Sequence, residues 1–500
     1  MREVDKAAEG HGMPASVLME NAGEALARAA LKLASPQGRF LVLCGIGNNG
    51  GDGLVAARKL AALGRLVNVE LVGVKDALDG EAHRNLKALL AGAVSVAPIS
   101  DELPVGPGDV VIDAIFGTGL SRAPESKHAN AIGRISVWRA AGAKVLAADL
   151  PSGLQTDNGV PFAPCVAADV TLAFGFLKVG QALEPGASLC GELEVVDIGI
   201  PRAAHQVLKE PQVYLLEESD VRGRLPARKP DSHKGTFGHV LVIAGSWGKT
   251  GAAALAAKGA LRAGAGLVTV ATRPEALVPV MAHAPEVMGI ELVGDGGLGP
   301  SDLNPLLEAA DGKSAVVFGP GIPRGDETSK LLQALLEELE IPCVLDADAL
   351  NALAGHLDIL KKAKCDLLLT PHPGEMARLA DKTVVEVNQN RIISARSIAT
   401  ENHVVVVLKG ARTLIAREDG TVFINPTGNP GMATGGTGDV LSGICGALFA
   451  QGLSPEDAAV TGVYAHGLAG DVMAKKKGQM GLVASDLLDG LGEVWVRWGR

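Results

Sequence analysis

Aromatic side chains are scarce: nine Phe, four Trp and two Tyr serve 500 residues. The formal net charge is −10, from 46 basic against 56 acidic side chains, and no Lys/Arg stripe with interleaved aromatics offers itself to a nucleic acid. No apolar run approaches the ~18 residues a membrane span needs. The opening MREVDKAAEGHGM is charged where a signal peptide has an apolar centre. Cys44, Cys165, Cys190, Cys343, Cys365 and Cys445 are scattered without a CxxC pair, which excludes a zinc ribbon and a disulfide framework. These absences point to a cytoplasmic chain that binds small molecules and neither nucleic acid nor membrane.

Glycine is plentiful at 64 residues, hydrophobic residues make up 47% and charged ones 20%. That composition supports large cores and excludes general disorder. Glycine with Ala, Val and Leu, and few rings, fits α/β layers whose tight strand-to-helix turns approach ligands through bare backbone. At roughly 150 residues per domain the length allows about three domains, or two large ones.

Solid apolar runs read as strands covered on both faces: Phe40 to Gly45, Val110 to Phe116, Lys144 to Pro151 and Asp169 to Phe174, with a shorter Leu193 to Gly199. Helical stretches between them, one closed by Gly64, predict βαβ units and a mostly parallel sheet. From Ile200 to about Lys234 Pro and charge cluster and no periodic element fits, so the domain boundary is placed near residue 215, giving 1–215 and 216–500. A second series follows with strands in HVLVIAG, GLVTVAT, SAVVFGPG, PCVLDADAL and HVVVVLKG, and a last helix after NPGMATGGTGD.

Ligands of an open parallel sheet sit beyond the carboxyl ends of its strands. There the first half places NNGGDG (Asn48 to Gly53), Asp113 with FGTGL behind it, and Asp149 leading into DLPSGL. The NNGGDG glycines are expected to turn backbone N–H groups toward an anion at a helix N-terminus. A strand-end carboxylate needs an N-cap partner, a cation or a ligand group. Lys178 is balanced between solvated surface and site.

In the second half GSWGKTG imitates a phosphate-binding P-loop, but Ile243 stands where that motif needs its first Gly, and Gly245 leaves the loop two residues short. NPGMATGGTGD is stronger. Backbone N–H groups of Gly435 to Gly438 and the positive helix end make an anion hole, and Asp439 at its lip is placed to take a proton from a hydroxyl. Asp439 as a simple N-cap is the bland alternative.

The blocks MREVDKAAEGHGMPASVLMENAG, GIGNNGGDG, DAIFGTGLSR and DLPSGL resemble the NAD(P)H-hydrate epimerase domain family across nearly the whole first half. The resemblance implies that Asn48, Asn49, Gly50, Gly51, Asp52, Gly117, Thr118, Gly119, Leu120, Ser121, Arg122, Ala123 and Asp149 bind the hydrated nucleotide. It also implies Asp149 as a catalytic group and a potassium ion on Asn49, Asp113 and Ser152. In the second half the GTGD motif resembles the ribokinase-like superfamily. With GSWGKTGAAALAAKGALRAGAG, VVFGPG, LDADAL, TPHPGEM and VVLKGART it is similar to the nucleotide-dependent NAD(P)H-hydrate dehydratase family over 224–500. Ala252, Gly321, His372 and Asp439 would line the hydrate, with Asp439 the catalytic base. Lys409, Gly410, Ala411, Arg412, Thr413 and Gly438 would hold ADP, with Mg2+ as cofactor. Pro323 stands where that family more often has Gly.

The expected fold is therefore α/β, a Rossmann-like three-layer domain followed by a ribokinase-like domain. The expected activity is repair: epimerising the R and S hydrates of NADH and NADPH and dehydrating the S form at the expense of ADP, in a homo-oligomer. The alternative is an ATP-dependent small-molecule kinase of ribokinase type fused to a nucleotide-binding domain.

Overall fold

The computed structural model describes residues 2–74, 78–209, 212–294 and 296–500. The chain divides into two compact units, 1–210 and 211–500. Among the described residues no helix is long and apolar enough to cross a membrane.

The first unit is built on six strands: β1 (Phe40–Cys44), β2 (Val67–Leu71), β3 (Val110–Ala114), β4 (Lys144–Ala148), β5 (Val170–Phe174) and β6 (Glu192–Val196). Their order is β2-β1-β3-β4-β5-β6 and every pairing is parallel. Every residue of β1 and β3 is buried, because helices cover both faces. One face packs on Leu26, Leu54 and Leu86, the other on Ile132, Ile135 and Trp138. β2 is only partly buried, and its Glu70 pairs with Arg134 at 2.6 Å. The chain leaves β1 outward to β2 and returns to β3 on the other side of β1, so a topological switch point lies between β1 and β3.

The second unit carries β7 (Val213–Leu215), β8 (His239–Ile243), β9 (Leu267–Thr272), β10 (Met288–Glu291), β11 (Ala315–Phe318), β12 (Cys343–Leu345), β13 (Leu367–Leu369), β14 (Val405–Leu408), β15 (Leu414–Ala416) and β16 (Val422–Ile424). The order is β10-β9-β8-β11-β12-β13-β14-β15-β16-β7. Pairing is parallel except across β14-β15 and β15-β16. Here the switch point lies between β8 and β11. β7 falls before the boundary expected at residue 215, yet it hydrogen-bonds to β16 and so belongs to the second unit. The expected line moves back by a few residues, because a three-residue strand in a charged segment shows no periodicity.

Helix Thr437–Ala450 lies against helix Thr250–Arg262 at glycine contact. A Cβ on Gly443 would stand 1.9 Å from the Ala256 carbonyl oxygen, and one on Gly259 2.5 Å from that of Val440. Only residues without a side chain let the two backbones meet so closely.

Candidate active sites

The switch point of the first sheet opens into a cavity of about 430 Å3. Asn48, Asn49 and Asp52 line it from the turn after β1, Gly117 to Leu120 from the loop after β3, and Asp149 from the end of β4. Gly50 and Gly51 do not. A Cβ on Gly50 would lie 1.9 Å from the Gly45 carbonyl oxygen, and one on Gly51 2.5 Å from Met19 Cε. These glycines close the helix Asn48–Ala62 onto its neighbours, and the lining from this turn comes from Gly47, Asn48, Asn49 and Asp52. Ser121, Arg122 and Ala123 are exposed and lie outside its lining.

Asp149 has φ +64°, a left-handed conformation that strains a non-glycine residue. Its carboxylate contacts the ammonium of Lys178 and accepts from the Phe174 N–H at 3.2 Å. Gln181 Nε2 donates to its carbonyl at 2.6 Å. Lys178 also donates to the Phe174 carbonyl at 2.9 Å, and its side chain is 4% exposed. The lysine that sequence left undecided is a buried partner behind the cavity wall. Burial, then the charge of Asp149, pushes Asp52 well above the ordinary carboxyl range. Asp5, on the helix Arg2–Gly10, also lines the cavity and is raised chiefly by burial. Sequence reasoning quoted the block that holds Asp5 without singling it out.

Asp113 is fully buried. It accepts from the Ser152 N–H at 2.7 Å, the Ser152 hydroxyl at 2.6 Å and the Ile115 N–H at 3.3 Å. Burial outweighs those bonds and pushes its pKa up to about 6. Asn49 Nδ2 is buried and has no hydrogen-bond partner among the described residues. A Cβ on Gly117 would meet the Asn49 side chain at 3.3 Å, so the turns after β1 and β3 touch at this amide.

In the second unit Asp439 stands in the first turn of helix Thr437–Ala450, after Gly436 at φ +94°. Burial, then the like charge of Asp346, pushes it up to about 7. A Cβ on Gly438 would come 3.3 Å from Lys409 Nζ, so the structure brings these two residues together at the helix end. Lys409 Nζ donates to Asp346 at 2.7 Å and lies 3.9 Å from Glu375. Burial opposes its charge, but the two carboxylates prevail and its pKa is raised. The Ser442 hydroxyl contacts the other oxygen of Asp346. Ala347, next in the chain, is left-handed at φ +52°.

His372 caps helix Pro373–Leu379: its Nδ1 accepts from the Gly374 N–H at 2.9 Å, while Glu375 accepts from the His372 N–H at 2.8 Å. Burial, then the Lys409 charge, lowers the imidazole pKa, and its side chain stays half exposed. Glu375 is 5% exposed, and burial raises it to about 7. Ala252 and Gly321 meet across the second switch point, where a Cβ on Gly321 would lie 3.0 Å from that of Ala252. Pro323 packs beside Gly297. The loop from Lys409 to Thr413 is braced by buried Arg391, which donates to the carbonyls of Leu408, Lys409 and Ala411. His466 donates from Nε2 to the Thr437 carbonyl at 2.9 Å, and burial holds its pKa down to about 4. Asp346, Glu375, Arg391, Ser442 and His466 were not singled out from sequence, although two of them lie in the quoted LDADAL and TPHPGEM blocks.

Comparison with known proteins finds relatives for both halves of the chain. Residues 240–492 match the family model of NAD(P)H-hydrate dehydratase, and residues 15–180 match that of the YjeF-related protein N-terminus. A bifunctional NAD(P)H-hydrate repair enzyme of Moorella thermoacetica is 44% identical over 98% of this chain and 94% of its own length. Its Escherichia coli counterpart is 37% identical over 98% and 91%. The crystal structure of an ADP/ATP-dependent NAD(P)H-hydrate dehydratase from Bacillus subtilis, crystallised with ATP and Mg2+, is 33% identical, covers 57% of this chain and 99% of its own, and has a TM-score of 0.50. A ribokinase-like superfamily protein from Enterococcus faecalis is 26% identical over 58% and 98%, also with a TM-score of 0.50. The kinase alternative is not favoured. The chain belongs to the bifunctional NAD(P)H-hydrate repair enzymes, in which an epimerase is joined to a dehydratase.

Proposed function

We propose that the second unit uses ADP to turn the ring hydroxyl of the S hydrate into a leaving group, with Asp439 as the base. Hydroxide leaves poorly. The Asp439 carboxylate takes the hydroxyl proton as that oxygen attacks the terminal phosphorus of ADP, and AMP departs. Loss of phosphate from the ring carbon, with a proton from the adjacent carbon, then restores the dihydronicotinamide. The N–H groups of Gly435 to Gly438 and the Lys409 ammonium face the charge that builds on the transferred group; losing one such donor commonly costs on the order of 3 kcal/mol. Lys409 to Thr413 hold the nucleotide, and Ala252, Gly321 and His372 hold the hydrate. Glu375, a buried oxygen donor beside Lys409, fits a hard divalent ion and would hold Mg2+. When bound, Mg2+ neutralises phosphate charge.

In the first unit the hydrate lies in the cavity between β1 and β3. Asp149, backed by Lys178, passes the ring hydroxyl proton to the ring nitrogen as the bond between that nitrogen and the hydroxyl-bearing carbon opens to an aldehyde. The nitrogen then closes on the other face and the proton returns to oxygen. Asn49, Asp113 and Ser152 would hold K+. The oxygen-rich donor set suits a hard cation. The orphaned buried amide of Asn49 supports it, since exchanging its two terminal atoms turns an oxygen into that space. K+ would supply charge that keeps Asp113 ionised.

The observation that carries the reading is Lys409 Nζ lying against Gly438, the residue before Asp439, at a helix N-terminus. The test incubates the purified chain with mixed hydrate epimers and ADP and follows the absorbance of the reduced ring. Wild type should restore all of it, and Asp439→Asn should restore none while still equilibrating the epimers. Dehydration by Asp439→Asn within about tenfold of wild type would remove Asp439 from the role of base.

A further inference from the structure

A dinucleotide hydrate carries a diphosphate between its two riboses, and the second-unit residues assigned to it bring no cation to meet that charge. Ala252 and Gly321 are uncharged and Asp439 is an acid. His372 is taken up as a helix cap, its Nδ1 accepting from the Gly374 N–H at 2.9 Å. Lys409 is engaged by Asp346 and sits at the anion hole.

The two loops that carry Ala252 and Gly321 each end in an exposed cation. Lys249 immediately precedes the helix that bears Ala252, and Arg324 follows Gly321 in the loop after β11. The loops are fastened to each other: the Ser246 hydroxyl donates to the Gly321 carbonyl at 2.8 Å, and a Cβ on Gly321 would lie 3.0 Å from the Lys249 carbonyl oxygen. Both cations converge on one carboxylate. Lys249 Nζ is 3.3 Å from Asp348 Oδ2, and the Arg324 guanidinium contacts Oδ1. Asp348 is 7% exposed, Lys249 51% and Arg324 63%. One carboxylate thus faces two cations, and both remain partly exposed on the loops that carry Ala252 and Gly321. Asn351 Nδ2 also donates to Asp348, at 3.2 Å, which keeps that carboxylate satisfied if one cation turns toward a ligand.

We propose that Lys249 and Arg324 form the diphosphate clamp of the dehydratase site, aimed by Asp348. The inference rests on reading Ala252 and Gly321 as hydrate-lining residues. The guanidinium presents a planar fork to phosphate oxygens and the ammonium a point charge. The clamp grips a part of the substrate that does not react, so it sets binding and leaves the chemical step alone.

The test uses Lys249→Gln, Arg324→Gln, the double variant and Arg324→Lys in the full chain. Steady-state dehydration is measured with the S hydrate, with ADP, and with a truncated substrate: the same hydrated ring on ribose alone, which has no phosphate. Each charge removed should raise the KM for the S hydrate about tenfold, as loss of a charged hydrogen bond does. The kcat and the KM for ADP should stay within about twofold, and Arg324→Lys should recover part of the loss. All variants should handle the truncated substrate like wild type, whereas a merely structural ion pair would move every parameter and the melting temperature together. An unchanged KM for the S hydrate, or a KM for ADP that rises in parallel, overturns the clamp. Epimerase turnover in the same samples reports a folded chain. Wild type that fails to dehydrate the S hydrate at all would instead overturn the underlying assignment, and binding of the S hydrate measured by calorimetry on wild type and the double variant would still decide the clamp.

Discussion

Gly443→Ala places a single methyl group where two helices cross. Gly443 sits one turn beyond Asp439, and the new Cβ would stand 1.9 Å from the Ala256 carbonyl oxygen, where ordinary contact begins at 3.4 Å. The obstacle is backbone, so no rotamer change relieves it, and the helices must part by about 1.5 Å. The helix start moves with them, carrying the Asp439 carboxylate and the Gly438 N–H away from Lys409. A misplacement of about 1 Å costs on the order of 100-fold in rate. The overpacking itself costs about 1–3 kcal/mol, small enough to leave a domain of ordinary stability folded. The assay is kcat for dehydration of pure S hydrate with saturating ADP, with epimerase turnover in the same preparation as internal reference. Gly492→Ala is the control: it lies in helix Ala484–Trp498, its added Cβ meets nothing within 4 Å, and it should gain up to about 1 kcal/mol of helix propensity without changing either rate. Dehydration by Gly443→Ala within about threefold of wild type would show that the close helix crossing does not position the base.

Other consequences follow from the same geometry. Asp439 and Glu375, both raised to about 7 and chiefly by burial, lose their charge together as pH falls below neutrality. Dehydration kcat/KM should therefore decline on the acid side of about pH 7, approaching tenfold per unit, and a flat profile down to about pH 5.5 would contradict an ionised base. Lys178→Met leaves the Asp149 carboxylate without its cation, so epimerisation should vanish and the first unit should lose about 3–5 kcal/mol. Adding Asp149→Asn should restore melting but not turnover, and any retained epimerisation sinks the pair as catalytic machinery. A K+ site on Asn49, Asp113 and Ser152 should raise the melting temperature of the first unit with the logarithm of K+ concentration. Tetramethylammonium at equal ionic strength should not, and coincident curves would return Asp113 to a carboxylate capped by Ser152 and Ile115.

The parts of the fold legible in sequence were those whose cause is local. β1 and β3 are covered on both faces, so their residues are uniformly apolar and stand out. β2 carries Asn68 and Glu70 on a half-exposed strand and gives no such run. β7, β13, β15 and β16 have three residues each, too few to show a period, and their pairing depends on distant segments. The candidate sites divide in the same way. The strand-end turns and the Gly-rich helix start could be read because loop chemistry is written in neighbouring residues. Gly50 and Gly51 were expected to face the ligand, but glycine serves equally to approach a ligand or a neighbouring group, and here Gly50 packs on the Gly45 carbonyl and Gly51 on Met19. Lys178, Arg391 and His466 are isolated polar residues whose meaning comes from the carboxylate or carbonyl groups that the fold brings to them.

β7 bears on the solubility of the second unit. It lies parallel along β16 as the outermost strand of the sheet, with Tyr214 stacked on Phe423 at 5.9 Å. Without it, β16 would present the apolar Val422, Phe423 and Ile424 with a row of unpaired N–H and C=O groups, a template on which another chain can add as a strand. β7 closes that edge and is itself a poor template, being three residues long and followed by Glu217, Glu218 and Asp220. A free-standing dehydratase that begins at residue 212 keeps this cover, while one that begins at 216 loses it and should aggregate on concentration. The few residues that open the second unit thus act as a guard against self-association.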